Sequence, residues 1–255
     1  MYQFFVAPEQ INVDQKRVFI TGSDVNHIKN VLRMKIGEEI NISNGIDGNE
    51  YRCAILELTG DAVICELQFV KKDGAELPSK VVLFQGLPKA DKMELIIQKM
   101  VELGVTQIVP VAMKRCVVKL DDKKSASKIS RWQGIAEAAA KQSKRGIIPT
   151  VSDVMSFKDA VNMASKMDIP LLPYEMSDPD AMGQTRDIFT KLEPGKTVSI
   201  FIGPEGGFDE GEIETAKAAG MKIITLGNRI LRTETAGMTV MSWIMLFLDG
   251  RDNKQ

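Results

Sequence analysis

The stretch "TVSIFIGPEGGFDEGEIETAKAAG", residues 197–220, decides the fold class. Its first seven residues are a short apolar run that ends at glycine, which reads as a buried strand. A helix is expected over 209–219, with Asp209 as its N-cap and Glu212 as the capping-box partner three residues on. Between strand and helix stand Gly203, Pro204, Glu205, Gly206 and Gly207. Three glycines permit positive φ and close backbone approach, and the proline fixes one φ. So tightly specified a turn at the end of a buried strand calls for an explanation.

The same strand-then-helix unit recurs on both sides. Downstream, a strand over 222–227 leads to a helix over 233–248. Upstream, a helix over 156–166 leads to a strand over 169–175. Earlier still, a strand over 81–87 precedes a helix over 89–104, where Asp91 is read as the cap with Glu94 as its partner and Met93, Ile96, Ile97, Met100 and Val101 form the apolar face. A strand over 107–111 and a helix over 127–143 follow. Repeated βα units predict an α/β fold with a mostly parallel sheet across residues 81–255. Residues 1–72 read differently: short β-rich runs such as "RVFI" and "YRCAILEL", broken by turns such as "NGIDGN", with one helical piece starting near Ser23. That pattern suggests a small β-barrel. Polar residues 73–80 read as a linker.

Totals narrow the class. At 255 residues, 44% hydrophobic and 26% charged, the chain is an ordinary globular protein. No apolar run approaches the roughly 20 residues of a membrane span, and no secretory signal is visible at "MYQFFVAPEQ", so a cytoplasmic location is expected. Cys53, Cys65 and Cys116 show no CxxC spacing, and His27 is the one histidine, so no metal site is expected. Net charge is −1, but residues 114–145 hold ten Lys/Arg against three Asp/Glu. That concentration is either a solvated helix face or a phosphate-contacting surface.

In open parallel sheets, ligands bind beyond the C-terminal strand ends. Three strands end there in unusual loops: "LPYE" (172–175), "GPEGG" (203–207) and "LGNRILRTETA" (226–236). There is no GxxxxGK[ST] and no GxGxxG, which excludes a P-loop and a dinucleotide fingerprint. A backbone-lined cleft with Glu205 and Glu234 at its rim suits a ligand that is part nucleoside and part cation. Arg229 and Arg232, just before a helix, are either structural (an ion pair to Glu234, or a cap) or cations for an RNA phosphate or a developing anion.

Together, "IFIGPEGGFDEGEI" and "LGNRILRTETA" resemble the ribosomal RNA small subunit methyltransferase E family. "HIKNVLRMKIGEEI" (27–40), "KADKMELIIQKMVELGV" (89–105) and "IAEAAAKQSKRGIIPTV" (135–151) extend the likeness along nearly the whole chain. The resemblance implies a PUA-like β-barrel that docks RNA, a SPOUT domain with a C-terminal trefoil knot, and a homodimer, for which Trp243, Ile244, Phe247 and Leu248 would form the contact. It implies S-adenosylmethionine as cofactor and N3 of a uridine in 16S rRNA of the small ribosomal subunit as the methyl acceptor. The cofactor would be held by Leu172, Pro173, Tyr174 and Glu175; by Ile202 and Gly203 through Gly207; and by Leu226, Gly227, Ile230, Leu231, Arg232, Thr233, Thr235 and Ala236. Arg232 and Glu234 would serve catalysis. Candidate RNA contacts are His27, Arg33, Lys35, Arg131, Lys144, Arg145 and Arg229. A SPOUT enzyme with another RNA target and a non-catalytic RNA binder are the rival readings.

Two departures stand out. Relatives commonly carry Arg near the start, where this chain has Gln3, and Gly where it has Lys144. If that Arg contacts RNA, another group must do so here.

Overall fold

The structure, a computed structural model, describes residues 1–72, 74–175 and 180–249. The first residue of the expected linker, Asp73, and the tail 250–255 of the expected second domain lie outside the described residues. The chain divides into two compact units: Met1–Glu76 with Ala140–Ile148, and Leu77–Ala139 with Pro149–Gln255.

In the first unit, β1 (Gln3–Phe5), β2 (Ile11–Asn12), β3 (Arg17–Thr21), β4 (Glu39–Ser43), β5 (Glu50–Leu58) and β6 (Ala62–Lys71) form one sheet in the order β1-β4-β5-β6-β3-β2. Only β1 and β4 pair in parallel; the other pairs are antiparallel. Strict alternation buries Tyr51, Cys53 and Ile55 on β5 and Val63, Cys65 and Leu67 on β6. Two register shifts between these strands bend the sheet. Burial pushes the thiols of Cys53 and Cys65 up to about 12, so both stay protonated and inert at neutral pH. Ser23 proves to be the first helical residue of α1 (Ser23–Asn26), not its cap; Gly22 at φ 75° holds that position, and the helix runs on as a wider turn over His27–Val31.

Residues 140–148 belong to this unit by specific bonds. Ile147 pairs with Gly45, and the Ile148 N–H donates to the Gly45 carbonyl at 3.0 Å. Gly146 lies so close to Gly48 that a Cβ there would stand 2.6 Å from the Gly48 carbonyl oxygen.

The second unit carries β7 (Lys80–Gly86), α2 (Lys92–Glu102), β8 (Gln107–Ala112), α3 (Asp122–Gln142, whose end reaches the first unit's residues), β9 (Thr150–Val151), β10 (Met155–Ser156), α4 (Phe157–Ala164), β11 (Ile169–Pro173), α5 (Ala181–Thr190), β12 (Thr197–Ile202), α6 (Glu210–Ala218), β13 (Lys222–Ile224) and α7 (Thr233–Leu248). Every pairing in its sheet is parallel, in the order β10-β8-β7-β12-β11-β13, with β9 beside β8. One face is built around Phe84 and Phe201, stacked at 5.4 Å, with Phe157 and Phe208 against Phe201. On α2 the stripe Met93, Ile96, Ile97, Met100, Val101 is buried as its spacing predicts. Asp91 holds the N-cap position of α2 without a side-chain cap bond, because its backbone (φ −94°, ψ 12°) is not extended. Glu94 instead pairs with Arg131 at 2.9 Å. On α7, Ile244 and Leu248 are core residues, while Trp243 and Phe247 lean on Phe189 of α5. No helix of the described residues is long and apolar enough to cross a membrane.

Because all strands of this sheet are parallel, the loops after β7, β8, β11, β12 and β13 leave the same edge. That edge carries the candidate site.

Candidate active site

The loops after β11 and β13 enclose a cleft of about 650 Å³, lined by Pro173, Tyr174, Glu175, Ala181, Met182, Thr225, Leu226, Gly227, Asn228, Arg229, Ile230, Leu231 and Ala236. Gly227 adopts φ 97°, a conformation that favours glycine. Ile230, on the wall of this cleft, is 91% exposed. Leu172 is buried in β11.

The loop Gly203–Gly207 is held from three directions. Thr233, buried at the start of α7, donates from its hydroxyl to the Gly203 carbonyl at 2.6 Å. Thr233 in turn accepts from the side-chain amide of Gln85, fully buried at the end of β7. Gly86 beside it must be glycine, since a Cβ would stand 2.7 Å from Pro204 Cδ. Ile202 is buried in β12 and leads directly into this loop.

On a second side, Glu205 accepts from the backbone N–H of Lys89 and pairs with Lys92 Nζ at 2.9 Å. The same ammonium stands 3.7 Å from Glu234 Oε2, an atom that is buried without a hydrogen-bond partner among the described residues. Partial burial pushes the Glu205 carboxyl up, but Lys92 and the backbone N–H groups outweigh it and hold the group below the ordinary carboxylate range. Lys92, hydrogen-bonded to Glu205, is raised above the ordinary lysine value. On a third side, Arg115 Nη1 donates to the Gly206 carbonyl at 3.1 Å, and Lys114 Nζ pairs with Asp209 at 2.8 Å. Asp209 caps α6 and Glu212 completes the capping box, as expected; Glu212 also accepts from the Lys114 N–H at 2.9 Å.

Arg232 occupies the N-cap position of α7 with no side-chain cap bond, and it makes no ion pair among the described residues. Glu234 is taken by Lys92 instead. Of the structural roles open to Arg232, neither is realised, and its side chain is exposed. Thr235 is exposed on the first turn of α7.

Of the expected RNA contacts, Arg131 and Arg229 are exposed in the second unit, and His27, Arg33, Lys35 and Lys144 in the first. Arg145 is a correction. It is 1% exposed, and its guanidinium meets Glu76, with Nε at 3.1 Å from Oε2. It is a buried structural cation, not a surface contact. Gln3 also has a structural place, its amide donating to the Arg145 carbonyl at 2.7 Å and to Ser43 Oγ at 3.3 Å.

Sequence reasoning missed Gln85 and Lys92, and placed Lys114 and Arg115 in the basic stretch without their role as braces of this loop. A polar residue inside the apolar run "VVLFQGL" was the available signal for Gln85. Lys92 looked like any first-turn surface lysine.

Residues 75–245 match the RNA methyltransferase domain family, and residues 20–68 match the RNA methyltransferase PUA domain family. The chain is 39% identical to the ribosomal RNA small subunit methyltransferase E of Bacillus subtilis, over 96% of each protein. The chain belongs to the ribosomal RNA small subunit methyltransferase E family. Among solved structures, that of the family member from Neisseria gonorrhoeae bound to S-adenosyl methionine superposes with a TM-score of 0.79 at 32% identity, covering 97% of this chain and 98% of that one. A putative methyltransferase from Legionella pneumophila, in complex with the same cofactor, gives 0.75 at 32% identity over 90% and 91%. The family's architecture is thus the one described: a PUA-like β sheet and a parallel α/β unit.

Proposed function

We propose that the protein transfers a methyl group from S-adenosylmethionine to N3 of a uridine in 16S rRNA of the small ribosomal subunit, as a cytoplasmic homodimer whose cofactor site lies in a C-terminal trefoil knot. The observation that carries the reading is the set of loops gathered on one sheet edge, in a chain that matches small-subunit rRNA methyltransferases almost end to end. The first unit would dock RNA.

The residues present fit the cofactor. The cleft has the volume of a small-molecule site. Its wall mixes apolar side chains (Leu226, Ile230, Leu231) for an adenosine with a carboxylate, Glu175, for a cationic group. Tyr174, Gly227 and Ala236 would complete the hold, with Gly203–Gly207 closing from the next loop. When bound, the cofactor supplies an electrophilic methyl.

The chain's own residues then have two tasks. One is alignment of uracil N3 with that methyl, worth up to about 7–11 kcal/mol in well-oriented reactions. The other is stabilisation of charge on uracil O2 and O4 as the N3 proton is lost. Arg232, exposed and without an ion pair among the described residues, is one cation for that task, and Arg229, which lines the cleft, is another. A uridine held in a duplex would need extrusion first.

The test is methyl transfer from labelled S-adenosylmethionine to small subunits lacking the modification, followed by nuclease digestion and mass spectrometry. The expected product is 3-methyluridine. A different methylated nucleoside would move the target and keep the enzyme class. Arg232→Ala should lower transfer while leaving cofactor affinity in place; equal loss of both would make Arg232 a brace for the loop.

A further inference from the structure

Arg115 and Lys114 open the basic stretch, and both are exposed. They also hold the loop after β12. Arg115 donates to the Gly206 carbonyl, and a Cβ built on Gly206 would stand 3.1 Å from Arg115 Cβ, so the two backbones are in close contact. Lys114 reaches Asp209 at the far end of the same loop. Each cation is only partly used. A guanidinium has five N–H donors and an ammonium three. Arg115 spends one on a neutral carbonyl and has no ion pair among the described residues. Glu212, the other carboxylate at hand, is turned inward and buried on the Lys114 backbone N–H. Lys119, Lys123, Lys124 and Lys128 follow along the chain against Asp121 and Asp122, with Lys124 paired to Asp121 at 3.0 Å, and leave the segment positive on balance.

We propose that Arg115, assisted by Lys114, binds an RNA phosphate while keeping its grip on Gly206, so that RNA binding orders the cofactor loop and raises the affinity for S-adenosylmethionine. The inference rests on the reading above, and deepens it. Thr233 and Lys92 hold Gly203 and Glu205, whereas Gly206, where glycine leaves the backbone freest, is tied by the exposed Arg115. A phosphate that fixes Arg115 removes part of that freedom before the cofactor arrives, and the second ligand then meets a smaller ordering penalty. Linkage makes the effect reciprocal: the cofactor must tighten RNA by the same factor.

The experiment is calorimetric titration of S-adenosylmethionine with and without a saturating uridine-containing RNA oligonucleotide at low salt. For the wild type, RNA should tighten the cofactor by about 5-fold or more, the lower end of ordinary coupling. Arg115→Gln removes the charge, and its amide, two bonds shorter than the guanidinium, gives up the Gly206 carbonyl; its coupling factor should fall to about one. Lys124→Ala, farther along the stretch, should weaken RNA binding and keep the coupling factor. RNA without effect on cofactor affinity in the wild type, or undiminished coupling in Arg115→Gln, overturns the inference and leaves the proposed function standing. A wild type that binds no S-adenosylmethionine sinks the proposed function, and this inference with it.

Discussion

Gln85 and Thr233, 148 residues apart in the chain, share a hydrogen bond of 2.9 Å in the interior of the second unit. The hydroxyl passes the connection on to the Gly203 carbonyl. The end of β7, the loop after β12 and the first turn of α7 are thereby fixed to one another by two side chains.

Thr233→Val keeps the shape and removes the hydroxyl. It strips the Gly203 carbonyl and the Gln85 amide of a partner where Gln85 Oε1 already lacks one. Such unmade bonds cost about 1–3 kcal/mol. The expected result is a lower midpoint in chemical denaturation and weaker cofactor binding, with Thr233→Ser close to wild type. A valine variant as stable as the parent would show that the relay holds nothing.

The Lys92 contacts predict a pH window. Glu205 is depressed, so its contribution is present at neutral pH and fades as pH falls through a folded-state value below 4.5. Lys92 is raised, so its contribution is present at neutral pH and is lost as pH rises through a folded-state value above 10.5. The melting-temperature gap between wild type and Lys92→Met should be widest near neutrality and narrow at both extremes. A gap independent of pH would assign Lys92 to packing alone.

Glu76→Gln should destabilise the first unit, because it takes a charged partner from the buried Arg145 and weakens the acceptor of the Ile147 N–H. Replacing both partners, Glu76→Leu with Arg145→Met, should be milder than the single change. Urea denaturation of the three proteins decides it; a double variant worse than Glu76→Gln would contradict a desolvated pair.

Lys144 sits at φ 59°. Left-handed backbone costs a residue with a Cβ roughly 1–2 kcal/mol. Lys144→Gly should therefore raise the melting temperature, and Lys144→Ala should not.

Legibility followed the range of the determining contact. The cap and box of α6 and the stripe of α2 are set within a few residues, and both could be read from spacing. Asp91 and Glu94 had the same local letters as a capping box. The box does not form there because Asp91 is not extended and Arg131, from a distant helix, takes Glu94. Helix α5 went unread, although Ala181, Thr185 and Phe189 share a buried face at a spacing of four. Arg145 looked like one more surface cation in a basic run; Glu76, 69 residues earlier, buries it. The three loops of the cleft were visible as glycine-rich strand ends. Of the residues that brace them, Lys92 and Arg115 carry no local mark, because their partners Glu205 and Gly206 lie about a hundred residues away in sequence.

The first unit closes with residues 140–148, which supply Arg145, Gly146 and Ile147 to a sheet that is otherwise complete by residue 71. During synthesis, its N-terminal strands therefore leave the ribosome with Glu76 uncompensated and Gly45 unpaired, and wait for a segment that emerges some seventy residues later. A gene fragment ending at Glu76 would encode every strand of that sheet and still lack the piece that seals it. The unit as folded here is completed only when both parts of the chain are present.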